Sequence, residues 1–166
     1  MRNHGDRSLH TATGKEAITN SAGDHRSPSG ADNEPWSYGP EMEQIFRKFI
    51  AIREKMRPYT RELFESAHID GQPLVRGLFY EFPQDKSVSD IADEYMFGPD
   101  ILVAPVVEAG AGSREVTLPG NASITWTDLR TGKVYEGGQK ITVDAGIDTI
   151  PAFARDGHDH GLIGML

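Results

Sequence analysis

A chain of 166 residues is long enough for one ordinary domain or two undersized ones. It has no cysteine, which excludes disulfides and thiolate chemistry, and its formal charge of -8 argues against a phosphate-backbone partner, which needs clustered Lys and Arg. No apolar run approaches the roughly 18 residues that cross a bilayer, and the polar opening MRNHGDRSLH lacks the apolar stretch of a signal peptide, so neither a nucleic-acid nor a membrane partner is expected.

Residues 1–40 show little hydrophobic periodicity, and SAGDHRSPSGADN is their most loop-like part. Within them, EPWSYG places two aromatics among turn residues, an arrangement that usually anchors a loop. Over residues 41–68, Met42, Ile45, Phe46, Phe49, Ile50, Ile52, Met56, Tyr59, Leu63 and Ala67 mostly recur at the spacing of an amphipathic helix. Pro58 removes a helical hydrogen bond and disfavours α geometry at Arg57, which predicts a kink or two abutting helices, and Gly71 fits the stop.

PLVRGLFYEF, residues 73–82, reads as a strand that is apolar on both faces apart from Arg76 and Glu81. Ser87 or Ser89 would cap a short helical turn. Beyond Gly98-Pro99 come the strand-like runs ILVAPVV, REVTLP, SITWTDL, KVYEGG, KITVD and DTIPAFA, separated by turn signals at about ten-residue intervals. That spacing predicts an antiparallel β-sandwich over residues 98–157, with a tail at 158–166. Gly98-Pro99 then reads as a seam between helix-plus-strand material and an all-β module.

The segments RNHG (2–5), EPWSYG (34–39), the helix and strand over 52–85, YMFGPDILVAPVVEAGAGSREVTLPG (95–120) and YEGGQKITVDAGIDTIPAFARDG (135–157) occur in an order that resembles the C-terminal portion of glycoside hydrolase family 31. That family includes α-glucosidases and α-xylosidases. The resemblance implies an α+β fragment: a loop-rich barrel-rim segment over 1–40, then the end of a (β/α)8 TIM barrel over 41–97, comprising a long kinked helix and a strand, and finally the sandwich. It also implies a retaining α-glycosidase whose partners are an α-linked oligosaccharide or glycoside and a missing N-terminal barrel piece, with Met1 at a position internal to longer relatives. The stretch between RNHG and EPWSYG is longer than in many relatives and resembles a rim insertion.

Retaining glycoside hydrolysis needs two carboxyl groups about 5–5.5 Å apart. The resemblance implies two aspartates in motifs of the W-x-D-M-x-E and W-x-G-D types, and neither motif occurs here. No catalytic residue is therefore assigned, and the chain is expected to be inactive alone. No cofactor or metal is expected either. Asp85, Asp90, Asp93, Glu94 and Asp100 form the densest acidic cluster but lack the alternating pattern of a calcium loop, so capping and turn roles are expected. His4 matches the histidine of the R-x-H-G segment, and the resemblance implies that it contacts substrate hydroxyls; Arg2 would line the same pocket or pack structurally. Arg76 needs an ion-pair partner if buried. Trp36 and Tyr38 would anchor a loop or stack on sugar, and His158 and His160 read as a solvated tail rather than a metal pair. An alternative reading is a non-catalytic carbohydrate-binding or structural β-sandwich, with Trp126 and Tyr135 as its aromatics.

Overall fold

The structure, a computed structural model, describes residues 35–166. The chain divides into two compact units, Met1–Ala51 and Ile52–Leu166.

In the first, a 3-10 turn over Pro35–Tyr38 leads into helix α1, Pro40–Lys55, which crosses the boundary. Glu41 and Glu43 sit in its first turn and Arg53 and Lys55 in its last, the charge order that complements the helix dipole. Arg47 pairs with Glu43 one turn back at 2.6 Å. Tyr38 lies 6.2 Å from Phe46, ring centroid to ring centroid.

The second unit opens with the end of α1, a break at Met56, and helix α2, Arg57–Asp70. The abutting helices expected around Pro58 are what is observed. Proline stands near the start of α2, where a missing N–H costs least. The backbone bonds Met56 N–H to Ile52 C=O and Thr60 N–H to Met56 C=O carry the chain past the junction. At the far end Gly71 takes the left-handed conformation and donates its N–H to the Ala67 carbonyl.

The strand expected over 73–82 is shorter than its pattern. Only Val75–Gly77 is extended (β1), and Leu78–Glu81 coils into a single helical turn, α3. A strand would alternate Leu78, Tyr80 and Phe82 on one face. The turn instead brings Leu78 and Phe82 together into the core and leaves Phe79 and Tyr80 outside. It also brings Glu81 back to Arg76.

β1 does not stand apart from the sandwich. It pairs antiparallel with β2, Tyr95–Phe97, which pairs with β3, Ile101–Val103. Gly98-Pro99-Asp100 is the turn between β2 and β3, so the expected seam is the inside of a hairpin. Gly98 has φ +64°, and a Cβ there would lie 2.1 Å from the Tyr59 hydroxyl, so glycine is required where α2 presses on the turn. The sheet continues through β8, Ala152–Arg155, β5, Thr125–Asp128, and β6, Val134–Glu136, in the order β1-β2-β3-β8-β5-β6. Every pairing in it is antiparallel. A second sheet pairs β4, Ser113–Leu118, with β7, Gln139–Asp144.

Between the layers lies one apolar core. Register puts Met96, Leu102 and Phe153 opposite one another on the inner face, with Trp126 on the same side, and they cluster with Val116, Leu118 and Val143 of the smaller sheet. The α+β class and the antiparallel sandwich follow the sequence pattern. The strand assigned to a barrel is instead the edge of this sheet.

Candidate functional site

His4 and Arg2 lie outside the described residues. Trp36 is largely exposed beside Tyr38, whose contact with Phe46 fits the loop-anchoring role.

Arg76 is buried and has the ion-pair partner it requires. Its Nη1 donates to Glu81 Oε1, its Nε donates to the Pro73 carbonyl at 2.6 Å, and its guanidinium stands 5.5 Å from the Tyr80 ring. Arg155 Nη1 stands 3.9 Å from the other Glu81 oxygen.

The acidic cluster separates into distinct local roles. Asp85 caps a 3-10 turn by accepting from Ser87 N–H at 2.9 Å, and its second oxygen accepts from Gly120 N–H at 2.9 Å, tying the loop to the end of β4. Asp90 is exposed. Asp93 accepts from Arg114 Nη1 at 2.8 Å, and that guanidinium holds its carboxyl below the usual range. Glu94 is buried; its Oε1 accepts from the Thr117 backbone N–H at 2.9 Å, while Arg114 Nη2 stays 4.0 Å away. Burial pushes the Glu94 carboxyl up to about 7, only partly opposed by the Thr117 N–H and Arg114. Its Oε2 and Arg114 Nε are buried without a partner.

Folded Glu94 therefore keeps its proton to about pH 7, whereas unfolded it releases it near 4.5. Across that window the folded state binds more protons, so stability falls as pH rises. Glu94→Gln keeps an acceptor for Thr117 and removes the titration. We expect it to gain on the order of 2 kcal/mol relative to wild type between pH 5 and pH 8. Urea unfolding of both proteins at the two pH values checks this; a difference that does not change with pH would refute it.

The tail histidines part company. His158 is exposed. His160 is not a solvated tail residue: it stacks on Tyr59 with ring centroids 3.9 Å apart, and its Nε2 lies 2.9 Å from Asp100 Oδ2. Tyr59 in turn donates to the Phe97 carbonyl at 2.9 Å and accepts from Asp100 N–H at 3.3 Å. Helix α2, the β2–β3 turn and the C-terminal segment thus meet at one point. The sequence pattern gave no signal for a contact between residues 60 positions apart. A histidine–aspartate pair beside a hydroxyl has the composition of a catalytic relay, but this hydroxyl is committed to two backbone groups, and burial pushes its ionisation well above the ordinary range. The cluster is a clamp.

Trp126 is wholly buried and donates from Nε1 to the Pro119 carbonyl at 3.1 Å, so it presents no face to a sugar. Tyr135 is half-buried, meeting Phe153 at 6.3 Å, with Lys133 Nζ 4.6 Å from its ring centroid. Asp128, two residues after Trp126, is buried, and its carboxylate accepts from Arg130 N–H, Thr131 N–H and the Thr131 hydroxyl, which locks a turn. Among the described residues no group of three His or acidic side chains is placed to hold a metal ion, and no helix is long and apolar enough to cross a membrane.

Residues 71–158 match the model of the glycosyl hydrolase family 31 C-terminal domain. The chain belongs to glycosyl hydrolase family 31. The family 31 match begins at residue 71, four residues before β1, which agrees with β1 and β2 being strands of the antiparallel sheet. Among family 31 relatives, alpha-glucosidase 2 of Bacillus thermoamyloliquefaciens is 37% identical over 75% of this chain and 15% of its own length. An alpha-xylosidase of Saccharolobus solfataricus is 37% identical over 79% of this chain and 18% of its own. A solved family 31 alpha-xylosidase from a soil metagenome, complexed with xylose, superposes with a TM-score of 0.76 at 43% identity, covering 85% of this chain and 21% of that one. A family 31 dextranase from Flavobacterium johnsoniae gives a TM-score of 0.71 at 38% identity, covering 79% and 17%. The chain thus spans about one-seventh to one-fifth of the length of these relatives.

Proposed function

We propose that this chain forms the C-terminal part of a retaining α-glycosidase that hydrolyses O-glycosyl bonds in α-linked oligosaccharides or glycosides, and that it does not catalyse the reaction alone. The observation carrying this reading is the family match over residues 71–158 together with its superposition on a xylose-bound alpha-xylosidase. Cleavage with retention requires one carboxylate to attack the anomeric carbon while a carboxylic acid protonates the departing oxygen. The buried or paired carboxylates described above are already committed: Asp85 and Asp128 to turns, Asp93 and Glu94 to β4, Asp100 to His160 and Glu81 to Arg76. The two catalytic aspartates belong to a preceding (β/α)8 barrel piece, and α1 and α2 complete that barrel. His4 reaches the pocket of the whole enzyme, where its imidazole hydrogen-bonds a sugar hydroxyl.

The carbohydrate-binding alternative is weakened by the burial of Trp126. Purified chain is expected to release no nitrophenol from p-nitrophenyl α-glucoside or α-xyloside. Turnover that persists through purification and follows this polypeptide would overturn the reading.

A further inference from the structure

Arg114 shares the inner face of β4 with the buried core residues Val116 and Leu118. An arginine placed there keeps its charge and needs a carboxylate beside it. Two are at hand, and it engages only one. Nη1 donates to Asp93 Oδ2 at 2.8 Å and Nη2 donates to the Asp93 carbonyl at 2.9 Å, so the end of the guanidinium is taken. The flank of the same planar group, formed by Nε and Nη2, is idle. Nη2 stays 4.0 Å from Glu94 Oε1, and Nε is buried without a partner. Glu94 mirrors this: its Oε1 accepts from Thr117 N–H at 2.9 Å, while its Oε2 is buried and unpaired. β4 carries β7 along one edge only, so the bond from Thr117 N–H to Glu94 covers part of the other.

We propose that Glu94 and Arg114 form a proton-operated latch between the segment before β2 and the small β4–β7 sheet. Neutral Glu94 leaves the Arg114 flank open, which is the arrangement observed. When the carboxyl proton leaves to solvent, the carboxylate draws the guanidinium in by about 1 Å, and Nε and Nη2 donate to it as a bidentate pair. Nη2 has two hydrogens, so the bond to Asp93 is kept and Arg114 then bridges both acids. The two acids differ in what surrounds them. The Asp93 side chain is 44% exposed and Arg114 holds its carboxyl low, whereas that of Glu94 is 3% exposed and burial pushes it up to about 7. Of the two, Glu94 is therefore the one that changes charge near neutral pH. Asp93 opposes that ionisation; Thr117 N–H, Arg114 and Lys140 of β7 favour it. Lys140 is itself bound to Glu115 at 2.9 Å, and Glu108, between β3 and β4, bears on Arg114. Closure returns part of what ionising a buried carboxyl costs, so this contact tightens while overall stability falls.

The test places Arg114→Lys in the wild-type chain and in Glu94→Gln, and follows urea unfolding at pH 5 and pH 8. Lysine keeps the charge but has no planar flank with which to bridge two acids. In the wild-type background Arg114→Lys should lower the folding equilibrium constant about tenfold more at pH 8 than at pH 5, the scale of one charge-assisted hydrogen bond. In the Glu94→Gln background the loss should be the same at both pH values. The six histidines are common to every protein compared, and their titration cancels. A loss equal at pH 5 and pH 8 in the wild-type background would overturn the latch. A pH-dependent loss that survives Glu94→Gln would assign the contact to another acid and overturn it as well. Nitrogen-15 and carbon-13 NMR of the unsubstituted chain reads the same contact without any variant. The Arg114 Nε–H signal should move downfield with the same midpoint as the Glu94 carboxyl carbon. A signal that stays in place while Glu94 titrates would show that the flank never closes.

Discussion

Trp126→Ala is expected to destabilise the Ile52–Leu166 unit by about 3–5 kcal/mol, the usual cost of removing a large aromatic from a core that cannot collapse around the gap. Trp126 is wholly buried, packs 6.0 Å from the Phe82 ring and belongs to the cluster that joins the two sheets through Leu102, Val116 and Leu118. Its loss also strands the Pro119 carbonyl that accepts from its indole N–H. Trp126→Phe keeps most of the volume and loses the hydrogen bond, so a smaller loss of about 1–2 kcal/mol is expected. Urea unfolding followed by far-ultraviolet circular dichroism measures both. The chain's only other tryptophan, Trp36, is largely exposed, so wild type should show buried-indole fluorescence that Trp126→Ala removes. A Trp126→Ala protein within about 1 kcal/mol of wild type would show that this residue does not anchor the core.

Arg76→Ala is expected to cost about 3 kcal/mol, the price of leaving a buried carboxylate without its principal partner. The Arg76 side chain is 7% exposed and that of Glu81 is 13% exposed, so water does little to screen what remains. Arg155, 3.9 Å from Glu81, compensates in part, which places the expectation at the low end for a broken buried pair. Adding Glu81→Ala should recover part of the loss, because the stranded charge goes with it. A double-mutant cycle in urea reads the coupling directly. Arg76→Ala within about 0.5 kcal/mol of wild type would mean that the pair contributes no net stability. The same pair explains why β1 ends at Gly77: the helical turn of α3 returns Glu81 to Arg76, which an extended chain would carry away.

Local chemistry made much of this architecture legible in advance. The helix pair around Pro58, the stop at Gly71 and most of the strands after Gly98 depend on proline, glycine and period-two alternation, which act within a few residues of themselves. The isolated Arg76 announced a partner because a charge buried without one is too costly. The family was legible for a related reason: several ordered motifs constrain backbone and core together, and the family match over residues 71–158 covers those from the end of α2 onward.

What the sequence could not supply was pairing between distant segments. Gly98-Pro99 carries the same turn chemistry whether it separates domains or joins two strands, and only the register of Phe97 against Ile101 makes it a hairpin. Alternation in SITWTDL permits Trp126 to face either way, and the opposing sheet decides that it faces in. His160 and Asp100 look like a solvated tail and a turn residue until α2 brings Tyr59 between the tail and the turn. Local conformational preference is written residue by residue. Which faces meet depends on burying the most apolar surface for the whole chain at once, and that is settled only when the layers pack.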